Sequence, residues 1–145
     1  MNTLFSSWQF WAFLAAIFAA LTAIFAKVGV AGVNADYATF VRTVVVILAL
    51  GLILTMTGQW QGLDVLKGKT GLFLTLSALA TGASWLCYFR ALQLGDASRV
   101  APVDKLSVVL VAVFGVIFLG ERLSARGWLG IAFVTLGVLL IAWRR

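Results

Sequence analysis

The 145-residue chain is 63% hydrophobic and 11% charged, against about 25% charged for a soluble domain, so neither a water-soluble globule nor a disordered segment fits it. It has no histidine, the lone cysteine Cys87 and five scattered carboxylates from Asp36 to Glu121, which rules out a His/Cys metal set, a nucleophile–histidine pair and an internal disulfide. Its 11 basic residues give a net charge of +6, and in so apolar a chain that excess suits anionic lipid better than nucleic acid.

A helix crossing about 30 Å of hydrocarbon needs about 20 largely apolar residues. Charge-free stretches run from Met1 to Ala26, Thr43 to Leu63, Thr70 to Phe89, Leu106 to Gly120 and Gly127 to Trp143. Turn-prone links fall at Gly29–Asp36, Gly58–Lys69, Gly95–Ser98 and Glu121–Arg126. The expectation is an all-α integral membrane protein, a single domain over 1–145 with five spans near 8–28, 37–58, 70–93, 99–120 and 125–143. No room is left for a separate soluble domain.

The first stretch has no basic leader and is too long for a signal-peptide core, so it is expected to be a helix. Trp8, Trp11, Trp60, Trp128 and Trp143 sit where aromatic rings favour the headgroup layer. Ala12, Ala16 and Ala20, with Ala15, Ala19 and Ala23 one strip over, and Gly130 and Gly137 on the last helix, give small-residue faces that let helices pack closely in lipid. Arg42 falls a few residues into helix two.

Helix three carries Ser77, Thr81, Ser84 and Tyr88, spaced four, three and four, which keeps them on one narrow face with Trp85 at its edge. Two readings stand for this strip. Hydroxyls in membrane helices commonly bond their own i−4 carbonyl, whereas a polar stripe with an aromatic edge is also what the lining of a solute path needs. Cys87 lies off the strip and is expected to pack.

The fourth stretch is 15 residues, or about 22 Å at 1.5 Å each, and falls short of the bilayer core. It is expected to extend backwards through Lys105, Asp104 and Pro102, drawing two ionisable groups toward the membrane. In one reading Pro102 opens the helix, Asp104 faces its positive end and Lys105 snorkels to the headgroups. In the other, the helix starts near Ser98, Pro102 breaks it by removing a hydrogen bond, and Asp104 faces a wet cavity, with Ser107 one turn beyond on the same face. Counting spans places Lys27, Arg42 and Arg90 on the same membrane side as Asp104, as candidate cationic partners. Glu121 is expected to tie the following turn to helix five, with Ser124 as that helix's N-cap.

Ala91-Leu92, Gly95-Asp96-Ala97-Ser98, Val100-Ala101-Pro102-Val103, Gly120-Glu121-Arg122-Leu123-Ser124 and Gly127-Trp128-Leu129-Gly130 together resemble the EamA-type domain of the drug/metabolite transporter superfamily. Ala26-Lys27-Val28-Gly29 and Phe40-Val41-Arg42-Thr43 look like its short, single-domain bacterial/archaeal transporter group. The resemblance implies a five-transmembrane-helix half-transporter bundle, two of which enclose a cavity opening alternately to each side. It also implies a prokaryotic inner membrane. One copy of the motif set occurs here, so the second half is expected from another chain.

Loop charges are balanced. Lys67, Lys69, Arg122 and Arg126 lie on the N-terminal side, against Lys27, Arg99, Arg144 and Arg145 opposite, which removes the positive-inside bias. Adding Arg42, Arg90 and Lys105 at the membrane edge tilts the count toward an external N-terminus. From the loop balance and the single motif copy, the expectation is an antiparallel homodimer made by dual insertion, or pairing with a paralogous partner, in contact with lipid and a small-molecule substrate. No cofactor, metal or catalytic residue is expected, since the chain reads as a secondary transporter and not an enzyme. Asp104, Lys105, Arg42 and Ser107 are its candidate substrate or coupling residues, and Ser77, Thr81, Ser84, Trp85 and Tyr88 its candidate lining. The alternative is a non-transporting membrane subunit, or half of a lipid-linked sugar flippase.

Overall fold

The computed structural model describes residues 7–143, and all of its regular structure there is helical. Arg144 and Arg145 of the loop-charge count lie outside the described residues, as do the first six residues of the first charge-free stretch. The elements are α1 (Trp8–Gly29), α2 (Ala35–Thr57), a 3-10 turn (Leu63–Leu66), α3 (Lys69–Leu94), α4 (Ala97–Asp104), α5 (Ser107–Phe118) and α6 (Ala125–Ala142). Five lengths are long and apolar enough to cross a membrane, with α4 and α5 together forming one of them over Ala97–Phe118. Large apolar side chains point outward throughout, Leu79 at 67% and Leu140 at 77% exposure. Lipid, and not water, is the solvent for such a surface.

Local chemistry sets the ends of these helices. Ser7 Oγ accepts from Phe10 N (3.4 Å) to start α1. Asn34 Oδ1 accepts from Asp36 N (2.9 Å) and Tyr37 N (3.2 Å) to start α2, and Asp36 in the first turn complements its positive end. Gly58, at φ +65°, ends α2 in a left-handed conformation that a side chain would strain. At the start of α3 a Cβ on Gly71 would stand 1.9 Å from the Leu66 carbonyl oxygen, so glycine is required there.

The helices group into two compact units, α1 to α3 ending at Leu94 and α4 to α6 starting at Gly95. In the first, α1 and α2 both pack on α3 and barely touch each other. Its buried centre is small: Ala23, Ala26, Val30, Ala35, Thr39, Phe89 and Leu92. The hydroxyl of buried Thr39 donates to the Ala35 carbonyl (2.8 Å), so its polarity is satisfied within the helix. The Leu92 carbonyl lies in the last turn of α3, where no intrahelical N–H remains for it. Lys27 of α1 donates its Nζ to that oxygen at 2.6 Å, and Gln93 Nε2 donates to the Val33 carbonyl at 2.5 Å. The C-terminal end of α3 is thereby clamped to α1 and to the α1–α2 link.

In the second unit α4 and α5 both pack on α6. At the end of α5 the Gly115 carbonyl accepts from Leu119 N (3.1 Å) and Glu121 N (3.0 Å), and Gly120 reverses the chain at φ +67°. Glu121 then lays its carboxylate back on α5: a Cβ on Gly115 would meet its Oε2 at 2.7 Å. The expected tie from Glu121 to the next helix is thus replaced by a contact with the preceding one, because the reversal at Gly120 turns the side chain back. Leu123 packs on Gly127 in the same way, and Ser124 Oγ accepts from Gly127 N (3.2 Å) at the start of α6.

Replacing Lys27 with methionine leaves a buried carbonyl at the end of α3 without its donor. We expect a loss of about 1–3 kcal/mol in unfolding free energy in detergent, and a smaller loss for Gln93→Ala, whose side chain is exposed. An unchanged unfolding midpoint for Lys27→Met shows that the clamp contributes nothing.

Candidate functional site

Arg42 is the eighth residue of α2, about 10 Å along the helix at 1.5 Å per residue, and so reaches beyond the first two turns of a membrane-spanning segment. A guanidinium at such depth carries an unfavourable transfer energy of a few kcal/mol on insertion scales, and it needs compensation. It receives part from α3. The Arg42 Cζ lies 4.0 Å from the centroid of the Trp85 ring and 5.6 Å from that of Phe89. Trp85 and Phe89 are four residues apart and stack on one face of α3, giving the cation an aromatic floor within the roughly 6 Å over which a ring quadrupole attracts it. Tyr88, on the same stretch, lies near Arg42.

Beside this pair, the poor contact between α1 and α2 leaves an open cleft of about 520 Å³. Thr22, Phe25 and Ala26 of α1 form one wall, Tyr37, Val41 and Arg42 of α2 the other, and Phe89 the floor. The volume falls within the range of small-molecule sites, and its walls are apolar apart from Arg42, Thr22 and Tyr37.

The helix-three strip is divided by this arrangement. Trp85 and Tyr88 are half-buried beside Arg42, whereas Ser77, Thr81 and Ser84 lie exposed along the outer surface of the first unit. Thr81 Oγ1 donates to the Ser77 carbonyl (2.8 Å), the local bond that lets a hydroxyl sit in lipid. Phe89, Phe25 and Ala26 escape a reading by polar residues, because none of their side chains carries a polar atom. The four-residue step from Trp85 to Phe89 is the signal that finds Phe89.

In the second unit Asp104 ends α4, Lys105 follows it, and Ser107 opens α5. Lys105 Nζ lies 3.3 Å from Asp104 Oδ2, both side chains keeping substantial exposure. Pro102 lies inside α4, and the discontinuity falls just after it rather than at the proline itself. From Lys105 to Val109 the ladder tightens. Lys105 N bonds the Pro102 carbonyl (3.0 Å), Leu106 N that of Val103, Val108 N that of Lys105 and Val109 N that of Leu106, each at 3.0 Å. These i−3 bonds make a 3-10 segment between two α-helical ones, and Asp104, Lys105 and Ser107 cluster around it. Among the described residues no three His, Cys, Asp or Glu side chains come together as a metal site.

An exposed ion pair between neighbouring residues contributes about 0–1 kcal/mol. We therefore expect Asp104→Asn to insert, fold and unfold within about 1 kcal/mol of the parent protein, as read by its unfolding midpoint in detergent. A larger loss assigns Asp104 a structural role at the break.

A relative from Sinorhizobium sp, named "Uncharacterized transporter in cobO 3′region", is 64% identical over 136 residues, 94% of this chain and 96% of that protein. A Yersinia pestis protein (strain Pestoides F), named "Probable 4-amino-4-deoxy-L-arabinose-phosphoundecaprenol flippase subunit ArnE", is 32% identical over 71 residues, covering 49% of this chain and 62% of that protein. No solved structure matches the chain. Residues 6–143 match the EamA-like transporter family, and with five membrane-length helices and a glycine-turned α5–α6 link in place, the chain belongs to that family of membrane proteins.

Proposed function

We propose that this protein is a secondary transporter for a small metabolite or drug-like solute, working by alternating access, with two five-helix copies enclosing the path as an antiparallel homodimer. The observation that carries this reading is the family match across residues 6–143. Surface composition supports the second copy. Ala12, Ala15, Ala16, Ala19 and Ala20 of α1 and Gly130 and Gly137 of α6 are exposed, so small-residue faces suited to close helix packing are left for a neighbour. The Sinorhizobium relative, a bacterial protein whose name is that of a transporter, supports transport across a bacterial membrane.

In this reading Asp104 is the coupling or substrate-binding residue, held beside Lys105 and Ser107 at a 3-10 interruption of the kind that frees backbone acceptors near a transported solute. Exposed Ser77, Thr81 and Ser84 face the path once a second copy covers them. No nucleotide-binding loop is present in the sequence, so the energy comes from a solute or ion gradient. A second reading is favoured by one observation, the similarity to a Yersinia flippase subunit: the chain is then a subunit that works only with a different, paralogous membrane protein.

Reconstitution separates the two. Purified protein alone in liposomes should accumulate solute from a metabolite mixture down an imposed gradient, and Asp104→Asn should abolish or uncouple that uptake while still assembling. Gradient-sensitive uptake by the variant removes Asp104 from the mechanism. A protein inert alone that co-purifies with another membrane protein is a subunit.

Balanced loop charge further predicts that tags on each terminus are both partly accessible in intact cells. One fixed orientation discards the antiparallel homodimer in favour of a parallel dimer or an oppositely oriented paralogue.

A further inference from the structure

The transport reading counts Arg42 among its candidate substrate or coupling residues but gives it no ligand. Among the described residues the ion pairs are Lys67–Asp64 and Lys105–Asp104, and neither engages it. Its compensation comes from the Trp85 ring, which occupies one face of the guanidinium. The N–H donors of a guanidinium lie in its plane, so stacking leaves that fork available to a further acceptor. Arg42 also borders the α1–α2 cleft, and among the residues lining that cleft none is acidic. A positive charge at the edge of a low-dielectric cavity attracts an anion and repels a cation more strongly than it would in water.

We infer that the α1–α2 cleft is a binding site for an anion with an apolar body, its acidic head taken by Arg42 on the Trp85 ring and its body lying between Phe25 and Val41 over Phe89. A carboxylate, sulfonate or phosphate head accepts two parallel bonds from the guanidinium fork. An apolar tail fills the remainder of a cavity of about 520 Å³ whose walls offer it little else. Cationic ligands are excluded twice over: Arg42 repels them, and its own charge already covers the Trp85 face that would hold an ammonium. The chemistry is shared by an anionic phospholipid entering from the bilayer and by an aromatic or aliphatic acid in solution. The inference rests on the transport reading only where it makes this anion the cargo.

Equilibrium binding tests it without transport. Protein in phosphatidylcholine nanodiscs is titrated with naphthalenesulfonate and with naphthyltrimethylammonium, followed by melting temperature. In parallel, phosphatidylcholine is exchanged for brominated phosphatidylglycerol, and quenching of the Trp85 component is read as the difference between the parent and Trp85→Phe. We expect at least one anion to bind saturably and the ammonium not to. Arg42→Gln should weaken the anion about tenfold or more, the loss of one charge-assisted contact. Sulfonate binding alone assigns a soluble acid, and quenching by phosphatidylglycerol alone assigns a lipid. Equal affinity of the parent and Arg42→Gln for both anions, or ammonium binding as tight as sulfonate, overturns the site. Should Arg42→Gln fail to fold, Phe25→Ala serves instead, since Phe25 is 69% exposed and outside the buried centre. That variant should melt like the parent and bind the anion several-fold more weakly, and unchanged affinity again overturns the site. Arg42-dependent binding without uptake discards the transport reading and leaves the site standing, and uptake without such binding does the reverse.

Discussion

The bond from Lys27 Nζ to the Leu92 carbonyl is the constraint on which the first unit depends. A helix-end carbonyl buried inside the protein is out of reach of water, so it must find its donor there. Lys27 supplies one from α1 to the carbonyl of buried Leu92, and Gln93 returns a second bond to the α1–α2 link. Both bonds act on the last turn of α3. With that end held, Phe89 lies one turn earlier and Trp85 a further turn back, so the clamp also sets the register in which the two rings meet Arg42 of α2. A lysine that sequence parity groups with the candidate partners of a carboxylate is, in the folded unit, a helix cap.

The two clusters of charge solve the same problem differently. Arg42 is stabilised by aromatic faces that do not neutralise it, and it borders an open cleft with no acidic residue in its lining. Asp104 and Lys105 lie 3.3 Å apart and offset each other, leaving little net charge but a backbone whose hydrogen-bond ladder is interrupted. The first arrangement selects by sign of charge. The second is suited to change, because an exposed pair is worth little to the fold and a 3-10 segment between two helices deforms more readily than either helix. On the transport reading, recognition belongs to the first unit and coupling to the second.

Charge spacing made the five spans legible, since lipid allows few ionised groups and the gaps between them are therefore the helices. Capping chemistry made the start of α6 legible at Ser124. What the sequence hid is of two kinds. Contacts between residues distant in the chain, such as Lys27 with Leu92 and Arg42 with Trp85, have no local signature. Direction within a turn is equally hidden: the glycine reversal sends Glu121 back onto Gly115, although helix-dipole reasoning pointed it forward. The cleft was invisible for a third reason, because its α1 wall of Thr22, Phe25 and Ala26 looks like any lipid-facing surface until α2 fails to cover it.

That failure of α1 and α2 to close on each other follows from side-chain size. The small residues Ala23 and Ala26 of α1 are buried, and along the cleft between α1 and α2 stand the larger Phe25, Tyr37 and Val41. In water such a gap would collapse, because exposed apolar walls attract each other. In lipid that attraction is absent, hydrocarbon being as apolar as the walls, and only good packing or a polar contact draws helices together. The cleft is therefore stable as an open feature so long as lipid or a ligand fills it.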